Sequence, residues 1–275
     1  MNKLSLTSAL VLLWTKGHIH RDPLSSQFLG FLNLDSAKEL HSKCNQICSF
    51  YSEVIKNRKQ CVLDIVHIGI TQDKILQVII LGAGMDTLSL EIFSKNKNAK
   101  IFEIDANVDQ KISIIEKIDK KLFESIFFIS ADLKNSKRLF ELLKKSGWNP
   151  LIPSLIVLEG ISYYLDESDM TNILRIFQSK NKENHIILEY LVSNDLISKK
   201  RAVIPEKIFN LIAKYTNLPE ITRYNHNKIK DMVEPLSGTI DKRFTMKEME
   251  MNRVGKNVLF KRRKSGWIEI CYLSL

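Results

Sequence analysis

Residues 78–90 read VIILGAGMDTLSL. Four apolar residues, Val78 to Leu81, run directly into Gly82-Ala83-Gly84, and the polar pair Asp86-Thr87 then opens a stretch with helical character. The chain has only 10 glycines among 275 residues, so two of them one residue apart call for a reason. A buried strand that turns sharply into a helix supplies one, because glycine adopts the required backbone angles without steric cost and lets the backbone come close to a ligand. In an open α/β sheet, ligands bind beyond the carboxyl ends of the strands, which is where this turn would lie. Asp86 or Thr87 would cap the helix that follows. The third glycine position of a G-x-G-x-x-G dinucleotide fingerprint is occupied by Thr87, and a G-x-G taken alone is equally explained as a tight strand–helix turn.

Downstream of this stretch the pattern alternates. Strands are predicted at 78–81, 100–104, 126–129, 155–158 and 186–191, and helices at 87–94, 108–118, 136–145 and 168–178. Parallel strands need crossovers of this kind, so the pattern implies a parallel sheet with helices on both faces. Upstream, residues 1–70 read as helical: Leu10, Leu13 and Trp14 recur at helical spacing, Asp22-Pro23 is a cap followed by a first turn, and one long helix is predicted over 36–68. Residues 192–236 read as mostly helical. At the end, VLFKRR (258–263) and WIEICYLSL (267–275) read as two strands joined by Lys264-Ser265-Gly266, a hairpin that closes the sheet with an antiparallel strand. The expected organisation is one domain over 1–275, with a helical N-terminal lid (1–70), a ligand-binding core (75–192) and a helical insert with its closing hairpin (193–275).

Apolar residues make up 44% of the chain and charged residues 26%, enough for a sizeable core. No repeat at solenoid or propeller period occurs. The formal net charge is +10, with basic runs at Lys199-Lys200-Arg201 and Lys261-Arg262-Arg263-Lys264. No RNA-binding signature or zinc-finger spacing accompanies them, so the charge reads as solvation or anion steering rather than a nucleic-acid interface. Cys44, Cys48, Cys61 and Cys271 offer no second metal-ligand pair. They read as free thiols in a reducing cytoplasm, and no metal is expected. The start, MNKLSLTSALVLLW, imitates a secretory signal but lacks a small-x-small cleavage site and is too short to span a bilayer. A soluble cytoplasmic chain without a membrane partner is expected, its oligomeric state open.

The predicted strand ends carry acids. The second ends in Glu103 and Asp105, 21 and 23 positions after Gly82, where a carboxylate can accept both hydroxyls of a ribose. Asp105, at the tip, is the better placed, and Glu103 would be an ordinary cap. Asp132 follows the third strand, either to accept from an adenine amine or to cap the helix after it. Glu159 ends the fourth, an apolar strand where a carboxylate must find a partner, such as the cationic end of an amino acid. Tyr163 and Tyr164 come next, aromatic groups suited to a sulfonium.

Taken together, LGAGMDT, FEIDAN, SADL and LEGISYYLDESDMTNIL, in this order and spacing, resemble the leucine carboxyl methyltransferase family over about residues 5–192. These are class I S-adenosylmethionine-dependent O-methyltransferases. They include an enzyme that methylates the C-terminal leucine of a protein phosphatase catalytic subunit, and bacterial relatives that methylate natural products. The resemblance implies a Rossmann-like class I methyltransferase with a mostly parallel seven-stranded sheet. It implies S-adenosyl-L-methionine as cofactor, held by the turn Gly82-Ala83-Gly84 with Asp86, by Asp105 at the ribose, and by Ala131, Asp132 and Leu133 at the adenine. Glu159 and Gly160 would lie at the methionine end. Arg58 in KNRKQCVLDIV matches the family's arginine for the cofactor carboxylate, and Lys59 could replace it only as a point charge. HRDPLSSQFL resembles the family's lid segment near the acceptor. Asn107 stands where the family places proline, and the C-terminal third does not match, which favours a small-molecule acceptor over a protein.

Methyl transfer is an in-line displacement that depends chiefly on alignment. A carboxylate acceptor is already ionised at neutral pH, whereas an alcohol or phenol needs a base, by default histidine. The histidines stand at 18, 20, 41, 67, 185 and 226. Only His18 and His20, in the lid segment, qualify, and His20 joins Tyr163 and Tyr164 as the candidate catalytic set. The expected activity is methylation of a small-molecule carboxylate, in secondary metabolism. The alternatives are a hydroxyl or phenol acceptor, or a protein C-terminus.

Overall fold

The computed structural model describes residues 4–19, 21–179, 183–216 and 220–275. Four helices come first: α1 (Leu6–Thr15), α2 (Pro23–Gly30), α3 (Lys38–Ile47) and α4 (Tyr51–Thr71). Strands and helices then alternate as β1 (Gln77–Leu81), α5 (Leu88–Lys95), β2 (Lys100–Asp105), α6 (Asp109–Ile118), β3 (Ile126–Ser130), α7 (Ser136–Lys145), β4 (Ser154–Leu158), α8 (Glu167–Ile176) and β5 (His185–Leu191). The chain continues through α9 (Lys199–Tyr215), α10 (His226–Val233), β6 (Thr239–Thr245), α11 (Met246–Val254) and β7 (Ile268–Ser274).

The seven strands form one sheet in the order β3-β2-β1-β4-β5-β7-β6. Pairings from β3 through β5 are parallel, and β7 runs antiparallel to both β5 and β6. Every residue of β1 and β4 is buried, which is why both read as unbroken apolar runs. The order reverses between β1 and β4, and the crevice at that switch point is where an open α/β sheet binds its ligand. Asp22 caps α2 through the Leu24 and Ser25 amides, each at 3.0 Å, with Pro23 in the first turn, and α7 begins and ends where the sequence places it. Among the described helices none is long and apolar enough to cross a membrane.

Two expectations need correction. The long helix over 36–68 is two helices, because Cys48 is extended (φ −148°, ψ 98°) and the chain restarts at Tyr51. The break lets Tyr51 pack on Trp14, with ring centroids 4.8 Å apart. The second correction concerns the hairpin. The antiparallel partner of β7 is Thr239–Thr245, and α11 separates the two strands; residues 258–263 form no strand. Their amides go elsewhere: the buried Glu250 carboxylate accepts from Val258 at 3.1 Å and from Leu259 and Phe260 at 2.9 Å. A segment whose N–H groups are spent on one side chain has none left for a ladder.

Candidate active site

The glycine turn has the backbone its composition demands. Gly82 and Gly84 have φ of +70° and +49°, a region side chains enter only with strain. The Gly82 and Ala83 amides donate to Ile104 O at 2.8 and 3.0 Å, and the Gly84 amide donates to Asp105 Oδ2 at 2.9 Å. A Cβ on Gly82 would lie 3.0 Å from Ile161 Cγ1, and one on Gly84 would lie 3.1 Å from Ser8 Oγ. The close approach is thus to the protein's own side chains, and helix α1 lies against the turn. Thr87 is the N-cap residue of α5, and Asp86 just before it accepts from the Leu88 amide through Oδ1 at 2.9 Å.

The two acids of β2 part company. Glu103 is buried and is held by Lys111 Nζ at 2.7 Å. It is a structural counter-charge, neither a cap nor a crest residue. Burial raises its pKa, and Lys111 opposes the shift. Asp105 is half-buried at the crest, accepting from Gly84 and, through Oδ1, from the Asn107 amide at 3.1 Å. Next to it the Ala131 amide donates to Asp105 O at 3.0 Å. Asp132 is exposed and accepts from the Lys134 amide at 3.0 Å; the cap of α7 is Asn135, not Asp132. Leu133 is buried beside it.

A cluster of charges fills the other side of the turn. Arg58 Nε donates to Glu159 Oε1 at 3.0 Å, and its Nη1 lies 3.5 Å from the Tyr163 hydroxyl and 3.7 Å from Glu189 Oε1. Lys59 Nζ donates to Glu159 Oε2 at 3.0 Å and pairs with Asp86. Both cations are buried. Burial works against their charge, but Glu189 and Glu159 around Arg58, and Asp86 and Glu159 around Lys59, hold both pKa values above the ordinary. Glu189, on β5, was not anticipated from the sequence. One of its oxygens accepts from the Gly160 amide, whose φ is +73°; the other has no hydrogen-bond partner among the described residues. Burial raises the pKa of Glu189, with Arg58 opposing. The signal was present: a lone carboxylate in the apolar run HIILEYL, one step beyond the register pair Leu158–Leu188 that also leads to Glu159.

Arg58, Gly82, Ala83, Gly84, Asp86, Glu159, Gly160, Tyr163 and Tyr164 line one cleft. Lys59 and the α1 residues Thr7, Ser8, Val11 and Leu12 complete it. Sequence reading placed α1 in a lid without identifying these side chains. Asp105, Ala131, Asp132 and Leu133 do not line this cleft; they continue the crest along the tips of β2 and β3, joined to it by the Gly84–Asp105 bond. His18 is exposed and does not line the cleft, and His20 lies outside the described residues. Burial raises the pKa of Tyr163 well above normal and that of Tyr164 to about 12. Among the described residues no group of three or more His, Cys, Asp or Glu is arranged to hold a metal ion.

The donor set suits a ligand that is zwitterionic at one end and a polyol at the other. Two fixed cations interleave with Glu159, Asp86 and Glu189, and Nη2 of Arg58 makes no hydrogen bond among the described residues. The half-buried Asp105 carboxylate stands one turn away.

The molecule's likenesses agree with this arrangement. A protein of the DUF574 family from Streptomyces avermitilis superposes with a TM-score of 0.70 at 11% identity, covering 98% of this chain and 96% of that one. A candidate methyltransferase from Thermobifida fusca matches with a TM-score of 0.66 at 13% identity, covering 91% and 92%. A candidate O-methyltransferase from Nostoc punctiforme matches with a TM-score of 0.52 at 13% identity, covering 97% of this chain and 70% of its own. At these identities the likeness is one of fold. A search of curated protein sequences finds no match. The model of the leucine carboxyl methyltransferase family matches residues 15–178, more than half of the chain. The chain belongs to the leucine carboxyl methyltransferase family and is an S-adenosylmethionine-dependent methyltransferase.

Proposed function

We propose that the protein methylates a carboxylate of a small molecule, with Arg58, Glu159 and Asp105 as the principal cofactor contacts. Bound in the cleft, S-adenosylmethionine supplies an electrophilic methyl group on a sulfonium. Arg58 and Lys59 meet the carboxylate of its amino-acid end, and Glu159 meets the ammonium. Asp105 accepts from the ribose hydroxyls, with Ala131, Asp132 and Leu133 at the adenine edge. Gly82, Ala83, Gly84, Asp86 and Gly160 form the wall. Glu189 holds the Gly160 turn and, with Glu159, keeps Arg58 charged and fixed. Such pre-set charges do not have to reorganise when the methyl group moves.

The observation that carries the acceptor assignment is the absence of a base that titrates near neutrality among the described lining residues. Tyr163 and Tyr164 keep their protons, with pKa values raised by burial, and among the described residues no histidine lines the cleft. Their roles are an aromatic wall beside positive charge. An alcohol or phenol would reach this cleft still protonated, whereas a carboxylic acid with an ordinary pKa of about 4 arrives as the nucleophile. Helix α1 across the turn excludes water from the reacting atoms.

The test incubates the protein with methyl-labelled cofactor and a panel of small organic acids and phenols. A methyl ester releases its label as methanol in mild alkali and an ether does not. Alkali-labile product, with kcat/KM flat from about pH 6 to 9 as follows from an acceptor pKa near 4, is expected. Alkali-stable product, or activity rising about tenfold per pH unit as for a phenol or thiol acceptor, overturns the carboxylate assignment.

A further inference from the structure

A second and larger cavity, of about 490 Å³, opens at the tips of β5, β7 and β6. It plays no part in the chemistry above. Arg243, at the end of β6, lines it with its side chain 23% exposed. A guanidinium carries five N–H donors, and that of Arg243 makes no hydrogen bond among the described residues. The nearest carboxylate, Glu269, is 3.9 Å away, is shared with Arg263 at 3.8 Å, and already accepts from the Tyr190 hydroxyl at 2.5 Å. Lys264 lines the same cavity and makes no ion pair among the described residues. His226 completes the wall, its buried Nδ1 also without a partner. Asp195 is the other carboxylate of the lining and is exposed.

A largely buried guanidinium without an acceptor costs free energy; Arg243 is one, and exposed Arg263 and Lys264 add positive charge to the lining of the same cavity. The two basic runs of the sequence meet here. The Ser198 amide donates to Lys264 O at 2.9 Å, which brings exposed Lys199 and Lys200 beside Lys261, Arg262 and Arg263. Of these basic residues, Arg263 and Lys264 line the cavity together with Arg243.

We propose that this cavity binds the phosphoryl group of a small molecule, gripped by Arg243 and Arg263 and neutralised by Lys264. Planar guanidinium forks match phosphate oxygens in pairs, and the recessed position of Arg243 favours a compact dianion over the backbone of a nucleic acid. The inference does not depend on which group accepts the methyl.

The experiment is titration calorimetry at constant ionic strength, with inorganic phosphate as the probe and a short single-stranded oligoribonucleotide as the comparison. S-adenosylhomocysteine binding reports on folding in every variant. One saturable phosphate site is expected, weakened at least tenfold in the R243Q/R263Q double variant and several-fold in K264Q. E269Q, which removes the competing carboxylate, should bind phosphate more tightly, a gain that damage to the fold would not produce. Should the double variant lose S-adenosylhomocysteine binding, K264Q and E269Q carry the test. Absence of saturable phosphate binding overturns the proposal. So does phosphate affinity unchanged across the variants, or oligoribonucleotide binding in the absence of phosphate binding.

Discussion

Glu103 and Asp105 stand two residues apart on β2 and do different work. Glu103 neutralises buried Lys111, so Glu103→Ala strands an unpaired charge and should cost about 3–5 kcal/mol of stability, measured by urea unfolding. The folded fraction should still bind S-adenosylhomocysteine normally. Asp105→Asn should show the reverse: a midpoint near wild type, with S-adenosylhomocysteine affinity down at least tenfold by calorimetry. Equal affinity in both proteins would refute the ribose assignment. The tip position was legible in FEID, but Lys111, which settles Glu103's role, is brought to it only by the turn of α6. Glu189 shows a deeper limit. A carboxylate in an apolar strand announces itself, yet its partner amide at Gly160 lies 29 residues away and meets it only through the β4–β5 pairing. His185 permits a prediction in pH. Burial lowers its pKa below the ordinary 6.5, so the folded state resists its protonation. Stability from this group is present above the unfolded pKa and is lost as pH falls through the folded one. His185→Gln should therefore lose less stability than wild type between pH 7 and pH 5.

Among the elements, α1 decides how the cofactor cleft closes. Its Ser8 Oγ would lie 3.1 Å from a Cβ on Gly84, and four of its residues line the cleft. Cofactor binding beneath α1 should slow hydrogen exchange of the amides of Leu6–Thr15 when S-adenosylhomocysteine is added; unchanged exchange would show that α1 is not a lid. Gly84→Ala combines a positive φ with that contact and should cost about 1–3 kcal/mol while weakening S-adenosylhomocysteine binding. The alternating middle of the fold was legible to within two residues because apolar runs and glycine turns are local signals. The break at Cys48–Phe50 and the coil over 258–263 were not, since one follows from Tyr51 docking on Trp14 and the other from Glu250 collecting three amides. Neither partner is close enough in sequence to mark the segment it controls.

On the scale of the whole molecule, a ligand gripped by buried charges couples binding to global stability. S-adenosylhomocysteine at a hundredfold excess over its dissociation constant adds about 2.7 kcal/mol. For a chain of this size the melting temperature should rise by about 5 °C or more; no rise would contradict a preformed site. The strand order carries a consequence for biogenesis. β7 stands between β5 and β6, so β5 lacks its outer neighbour and the edge strand β6 its strand partner until residues 268–274 have been made. From the completion of β5 until β7 is made, the nascent chain presents the bare edge of β5, whose residues after His185 are all buried in the finished protein. An open apolar edge is a template for intermolecular pairing. Ribosome stalling or proteolytic clipping just before Trp267 should therefore yield aggregates rather than a smaller folded enzyme.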